Sequence, residues 1–318
     1  MDELVSIVVT SYNHAEYLDQ RMQSLLAQTY TNIEIIVVDD ASKDNSVQVL
    51  DKYRSKNNIR VFALQDNVGA ARATNYGVQQ SKGKYIMFAE CDDFSEKNQV
   101  EQLVRAFDNN ENIGVVFSKS NIVNAKGGLI ATDYDFRERS FKEICANNIL
   151  IPRRIMQRFL LNSCVLPNMS AAMIRRKTFD DLSRLSDKYK VCLDWDFWCR
   201  ASRICDFYYL SKALNNFRTH ESTARNLISS KIQIIEYYEL LYPAAKYANL
   251  NLLEKLIFRI NTGKKWAAMI RKDPSLGIKS FFKIFIGTFP VEKLNILFLF
   301  LGFTDLFVSK ILRSARKG

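Results

Sequence analysis

The front of the chain alternates short apolar runs with segments of helical spacing. Val5–Thr10 is a β-branched run, and Glu16–Gln28 after it carries apolar residues at helical intervals. Ile33–Val38 and Asp44–Arg54 repeat the pair, followed by Arg60–Leu64, a helical segment at Gly69–Gln80, and Tyr85–Ala89. Runs this short and continuously apolar predict strands buried on both faces, hence an α/β fold with a parallel sheet and helices on either side. Ligands of such sheets bind beyond the carboxyl ends of the strands. Each run here ends in polar residues: T-S-Y-N (10–13), D-D-A-S (39–42), D-N-V-G (66–69) and E-C-D-D (90–93). Four polar ends on one edge mark a site rather than four unrelated turns.

Beyond residue 95 the pattern loosens. Ile113–Ser118 predicts another strand with K-G-G (126–128) as a turn beyond it, and residues 137–161 mix Arg, Asn and apolar side chains. Residues 231–272 read as helices with tyrosines and basic side chains, and Leu294–Leu312 is a mostly apolar stretch of 19 residues. As a helix that stretch would be about 28 Å long, close to the thickness of a bilayer core. However, Asn295, Gly302, Asp305 and Ser309 recur near one face, and Asp305 at mid-membrane would cost roughly 2.5–3.5 kcal/mol. A narrow polar stripe, with Lys279, Lys283, Lys310, Arg313, Arg316 and Lys317 around it, predicts a helix lying in the membrane interface. Packing as a helix pair on the first domain is the alternative.

Charge sharpens the division. Of the formal +11 over 318 residues, residues 1–228 hold 30 Lys+Arg against 28 Asp+Glu, and residues 229–318 hold 15 against 6. We therefore divide the chain into an α/β domain (1–228) and a basic helical region (229–318). A basic tail suits an anionic surface. Nucleic acid is disfavoured, because the basic residues are interleaved with aliphatics and phenylalanines. Six cysteines without a C-x-x-C pair and only two histidines argue against zinc. The opening MDELVSIVVT lacks a basic leader and cleavage site, which predicts a cytoplasmic protein with free thiols.

The edge chemistry is carboxylate. No G-x-G-x-x-G follows the first strand, where the chain reads SYNHAEYL, and no P-loop occurs, so a dehydrogenase and a P-loop enzyme are both disfavoured. Asp39, Asp40, Asp92 and Asp93 instead gather negative charge. Side by side, such groups repel and favour protonation, unless a divalent cation is shared among them.

Taken in order, SIVVTSYNHAEYLDQRMQSLLAQTY, IEIIVVDDASKDNS, DNVGAARATNYGV and GKYIMFAECDDF resemble the nucleotide-binding half of family-2 glycosyltransferases of the GT-A fold. The resemblance runs from Val5 to about Phe94 and returns around Asn168–Ile174, at 193-LDWDFWCR-200 and at 217-FRTHESTAR-225. It implies transfer of a sugar from a nucleoside-diphosphate donor to an acceptor hydroxyl with inversion. It also implies Mg²⁺ or Mn²⁺ on the diphosphate, held by Asp93, with His220 completing the shell or bonding to the leaving phosphate. Asp92 would contact the ribose or support the metal, and Glu90, where the family often has aspartate, would be secondary. Thr10 and Tyr12 would cradle the base and Asp40, rather than Asp39, would accept its N3–H, which favours uracil, with Asp39 pointing into the fold as a helix cap. Asn67 and Arg72 follow the third strand, and Arg72 would serve phosphate or ribose. Asp194 matches the general base and Asp196 the second acid of a block usually written E-D-x-[DE]-x-W, in which Leu193 here replaces the glutamate; an N-cap role for Asp194 is compatible. Arg218 and His220 match an R-x-H block beside the diphosphate, and His14 reads as surface. The implied acceptor is a glycan or a lipid-linked glycan, with the enzyme peripheral at the inner face of the plasma membrane. Two other classes stay open: a sugar-phosphate nucleotidyltransferase, which would want a Gly-rich, Arg-containing loop after the first strand, and a non-catalytic nucleotide-sugar-binding scaffold.

Overall fold

The structure is a computed structural model that describes residues 3–108, 110–136, 139–220, 228–272, 278–302 and 304. Two compact units emerge: Met1–Phe159, Ser163–Lys188 and Leu193–Glu221 form one, and Leu160–Asn162, Tyr189–Cys192 and Ser222–Gly318 the other.

The first unit is built on a ten-stranded sheet. Its parallel half contains β1 (Val5–Ser11), β2 (Ile33–Asp39), β3 (Ile59–Ala63) and β4 (Tyr85–Glu90), in the order β3-β2-β1-β4. Beyond β4 come β9 (Ala172–Arg175), β6 (Ile113–Val123), β10 (Asp206–Arg218) and the two-residue β5 (Phe94–Ser95). Strands β7 (Leu129–Thr132) and β8 (Ile149–Ile151) pair with β6 and β10. The helices are α1 (Ala15–Leu26), α2 (Ser46–Asp51), α3 (Ala70–Gln80), α4 (Gln99–Phe107), α5 (Arg139–Ile144), α6 (Arg153–Asn162), α7 (Arg176–Asp181) and α8 (Leu193–Ala201).

The apolar runs become strands because both faces are covered. Val5, Ile7 and Val9 of β1 point into a core with Leu18, Met22 and Leu25 of α1, each side chain stabilising the fold by about 1.5–3 kcal/mol. Val8, on the other face, lies under α3. Helix α3 comes so close that a Cβ on Gly77 would stand 2.5 Å from Val8 Cγ1, so only glycine fits there. Register then fixes the working edge: Thr10 lies opposite both Val38 and Glu90, and Ser11 opposite Asp39. At the far side β10 runs antiparallel to β5, with Asn216 opposite Phe94. That pairing carries Arg218 and His220 back to the residues just before β5, which are Asp92 and Asp93.

The second unit is helical: α9 (Ser230–Tyr247), α10 (Leu252–Lys272), α11 (Ile278–Thr288) and a helical turn at 295–302. Its core joins Ile234, Tyr238, Trp266, Ala267, Ile284 and Leu299. A Cβ on Gly263 would stand 1.9 Å from the Phe298 carbonyl oxygen, and one on Gly302 2.5 Å from Gly263, so the two backbones cross at glycines. This corrects the expectation for the polar stripe. Asn295 is fully buried, donating to the Phe285 carbonyl and the Thr288 hydroxyl, and Gly302 faces the crossing. Asn295 and Gly302 turn inward because that is where small and hydrogen-bonded side chains fit. Asp305, Ser309, Lys310, Arg313, Arg316 and Lys317 lie outside the described residues, as does the FRTHESTAR block from 221 onward.

Candidate active site

Four strand ends and one returning strand supply the site. After β2, Asp39 turns into the fold and accepts the Ser42 N–H at 2.9 Å and the Ser42 hydroxyl at 2.7 Å. It therefore shapes the loop rather than capping α2. Asp40 accepts the N–H groups of Val68 at 2.7 Å and Gly69 at 2.9 Å, and Asn67 donates to the Asp40 carbonyl. The loops after β2 and β3 are thus tied together through Asp40. Tyr12, just beyond β1, is 42% exposed at this edge and free to present its ring, while Thr10 is half-buried within the strand.

The acid cluster follows β4. Asp93 is buried, accepting the Arg218 N–H at 2.9 Å and a hydrogen bond from Asn168. Burial and the charge of Asp92 push its carboxyl up to about 7. Glu90 is raised well above the usual carboxylate range by burial, then by Asp93, Asp92 and Asp194. Asp92 goes the other way: burial opposes ionisation, but the bond from His220 and the neighbouring His14 hold its carboxyl below the usual range. His220 Nε2 lies 2.9 Å from Asp92 Oδ2. His14 packs edge-on against His220, with ring centroids 5.3 Å apart. One ligand atom each from His14, Asp92 and His220 lie within 4.8 Å of one another. Resemblance makes Asp93 the metal ligand and leaves His14 at the surface; the structure instead puts Asp92 beside His220, turns Asp93 inward, and adds His14.

Beneath the acids sits a cation that sequence reading does not single out. Arg21 is fully buried. Its Nε donates to the Glu90 carbonyl at 2.8 Å, and its terminal nitrogens donate to Ser95 Oγ at 3.0 Å and Ser170 Oγ at 2.9 Å. Burial lowers its pKa, and Asp93, Asp92 and Glu90 work against that. The available signal is positional: Arg21 falls with Leu18, Met22 and Leu25 on the buried stripe of α1, where an unpaired charge would not be tolerated.

Arg218 is likewise consumed within the fold. Its guanidinium donates to the carbonyls of Asp92 at 2.6 Å and Ala125 at 2.6 Å and to Gln20 Oε1 at 2.6 Å. It also lies 4.7 Å from the Tyr17 ring centroid. It fastens the turn that presents Asp92, rather than offering its donors to a diphosphate. Arg72 pairs with exposed Asp187 at 2.7 Å, away from the acid cluster. Asp194 stands in the first turn of α8, its carboxylate 2.7 Å from the Trp195 N–H. It is one residue inside the helix rather than at its cap. Asp196 pairs with Arg200 at 2.8 Å, one helical turn on.

Acids gathered on the carboxyl edge of a parallel half-sheet, and closed by a late strand, define a GT-A type of fold. S. aureus TarS 1-349, solved in complex with UDP-GlcNAc, superposes with a TM-score of 0.71 at 19% identity, over 94% of this chain and 87% of that one. The sequence profile of glycosyl transferase family 2 matches residues 6–183, and the chain belongs to that family. An uncharacterized glycosyltransferase of Rickettsia bellii is 31% identical over 230 residues, which are 71% of this chain and 31% of the relative. The glycosyltransferase GlyG of Streptococcus pneumoniae is 31% identical over 185 residues, covering 57% and 60%. The chain thus spans between 31% and 60% of the length of these relatives.

Proposed function

We propose that the chain transfers a sugar from a nucleoside diphosphate, with UDP as the favoured nucleotide, to an acceptor hydroxyl with inversion at the anomeric carbon. The observation that carries this reading is the meeting of Asp92 with His220, 128 residues later, beside the acids Glu90 and Asp194 on the sheet's carboxyl edge. That TarS was solved with UDP-GlcNAc favours uridine. Tyr12, exposed at the end of β1, offers a face for the base, and Asp40 holds the loop at 67–69 that would border it.

Two imidazoles and a carboxylate suit a first-row divalent ion such as Mn²⁺ better than Mg²⁺, which favours an all-oxygen shell. Asp92, His220 and His14 would hold it. When bound, the cation neutralises charge developing on the departing diphosphate. His220 Nε2 lies 2.9 Å from Asp92 Oδ2, and it would serve the cation only as the ring nitrogen that carries no proton. Asp194 takes the proton of the acceptor hydroxyl as its oxygen attacks C1, while the bond from C1 to the phosphate oxygen breaks on the opposite face. General-base assistance of this kind is worth about 10²–10⁴-fold. Glu90, whose carboxyl burial and the neighbouring acids push upward, would add less negative charge around Asp194 than an ordinary carboxylate.

A lipid-linked glycan on the inner face of the plasma membrane, in the building of a surface polysaccharide, is the acceptor this reading favours. Among the described residues no helix is long and apolar enough to cross a membrane. Exposed Phe282 and Ile286 on α11, and Phe289, Leu294, Leu297 and Phe300 after it, instead form outward apolar faces, with Lys283 and Lys293 also exposed. Such faces suit insertion between anionic headgroups. Calorimetric titration of UDP and GDP with and without Mn²⁺, followed by assay of nucleoside-diphosphate release from UDP-sugars, tests the central claim. A protein that binds neither nucleotide would overturn it.

A further inference from the structure

His14 is fastened from both sides. Asn13 before it adopts a left-handed backbone with φ 55°, which a non-glycine residue holds only when its surroundings insist. The Asn13 N–H donates to Ser42 Oγ at 2.9 Å, and its side-chain carbonyl accepts the Lys43 N–H at 2.7 Å. After it, the Ala15 N–H donates to Asp44 Oδ2 at 2.9 Å. The backbone around His14 is therefore pinned to the loop after β2. Its ring orientation is set by two further neighbours: the His220 ring, and the sulfur of Cys91, 3.6 Å from Nδ1.

A neutral imidazole offers a cation only the nitrogen that lacks a proton, and the other nitrogen keeps its N–H and needs an acceptor. Cys91 is 5% exposed and stands between Glu90 and Asp92. By distance alone the bond between thiol and imidazole can run either way. Nδ1 is the ring nitrogen that faces the sulfur, so with Nε2 as the nitrogen left for a cation, the Nδ1–H has the Cys91 sulfur as its acceptor. We propose that Cys91 is a positioning residue for the cation site: its sulfur accepts the Nδ1–H of His14 and leaves His14 Nε2 to join Asp92 and His220 around the ion. This rests on the cation reading above. A thiol suits the place because a carboxylate would add a further acid to a crowded cluster.

Two readouts test it on the full chain. In metal-free, ¹⁵N-labelled protein, long-range ¹H–¹⁵N correlation should report the Nδ1–H tautomer for His14, and Cys91→Ala should shift it toward Nε2–H. Mn²⁺ titration followed by electron paramagnetic resonance, with UDP present, should show Cys91→Ala weakening Mn²⁺ by about 10–100-fold. Cys91→Ser, whose hydroxyl can still accept, should recover part of that loss. Circular dichroism melts of both variants establish that they fold. A wild-type His14 in the Nε2–H tautomer overturns the proposal, as does a Cys91→Ala protein that binds Mn²⁺ like wild type while His220→Ala does not. If the wild type itself binds no Mn²⁺, the cation reading fails, and the tautomer alone then decides whether the thiol holds the ring.

Discussion

Replacing Arg21 by methionine removes a fully buried guanidinium that faces the acid cluster while keeping most of the side-chain volume. Three hydrogen bonds disappear, to the Glu90 carbonyl, Ser95 and Ser170, and Asp93, Asp92 and Glu90 lose the positive charge they feel. Taking one partner from a buried ionic arrangement costs about 3–5 kcal/mol, because the remaining charge is left uncompensated. For a unit of this size that corresponds to a fall in Tm of roughly 6–20 °C. The loss should depend on pH. Glu90 and Asp93 already have raised carboxyls in the folded protein, Asp93 to about 7. A folded pKa above the unfolded value contributes stability that is full at low pH and lost as pH rises through the folded value. Without Arg21 both groups move higher still, so the variant should suffer more at pH 8 than at pH 5.5, where both can be protonated. Asp92, whose carboxyl is lowered, has the opposite sign but keeps His220. Melts of wild type and Arg21→Met in EDTA at the two pH values measure this. A loss under about 1 kcal/mol, or one identical at both pH values, would refute the charge-compensation argument.

Asp194→Asn should cut turnover by about 10²–10⁴-fold with UDP affinity by calorimetry unchanged; retained turnover would remove the general-base assignment. Asp92→Asn should weaken Mn²⁺-dependent UDP binding far more than Asp93→Asn, since only Asp92 touches His220, and the reverse ranking would restore Asp93 as the ligand. Paired Phe282→Ser and Ile286→Ser substitutions should release the protein from phosphatidylglycerol vesicles in a flotation assay without altering UDP binding. Unchanged flotation would move the membrane contact elsewhere.

The parallel half-sheet was legible because strands buried on both faces must be short and apolar, and β1 to β4 are. The acid edge was legible too, since strand ends leave few other places for E-C-D-D. What the sequence could not settle is which acid faces the cluster. Asp92 and Asp93 are neighbours, and only the return of β10 onto β5 turns one toward His220 and buries the other beneath the Arg218 N–H. His14 escaped for the same reason, because its partners Cys91 and His220 lie 77 and 206 positions away in the chain. Arg21 was masked by its helix, where a charged residue on a buried stripe makes sense only once the acids beneath it are placed. The inward polar face at Asn295 and Gly302 needed a second helix, whose Gly263 gives the crossing its closeness.

The antiparallel join of β10 to β5 also fixes a timetable. The acids of β4 leave the ribosome well before the histidine that closes over them, and at about 5–20 residues per second the 128 intervening residues take roughly 6–25 s to be made. Through that interval the nascent half-sheet carries its carboxylates without His220. Docking of the last strand is then the event that converts a preformed but electrostatically strained edge into a competent site, and chain made only as far as residue 216 would lack the latch altogether.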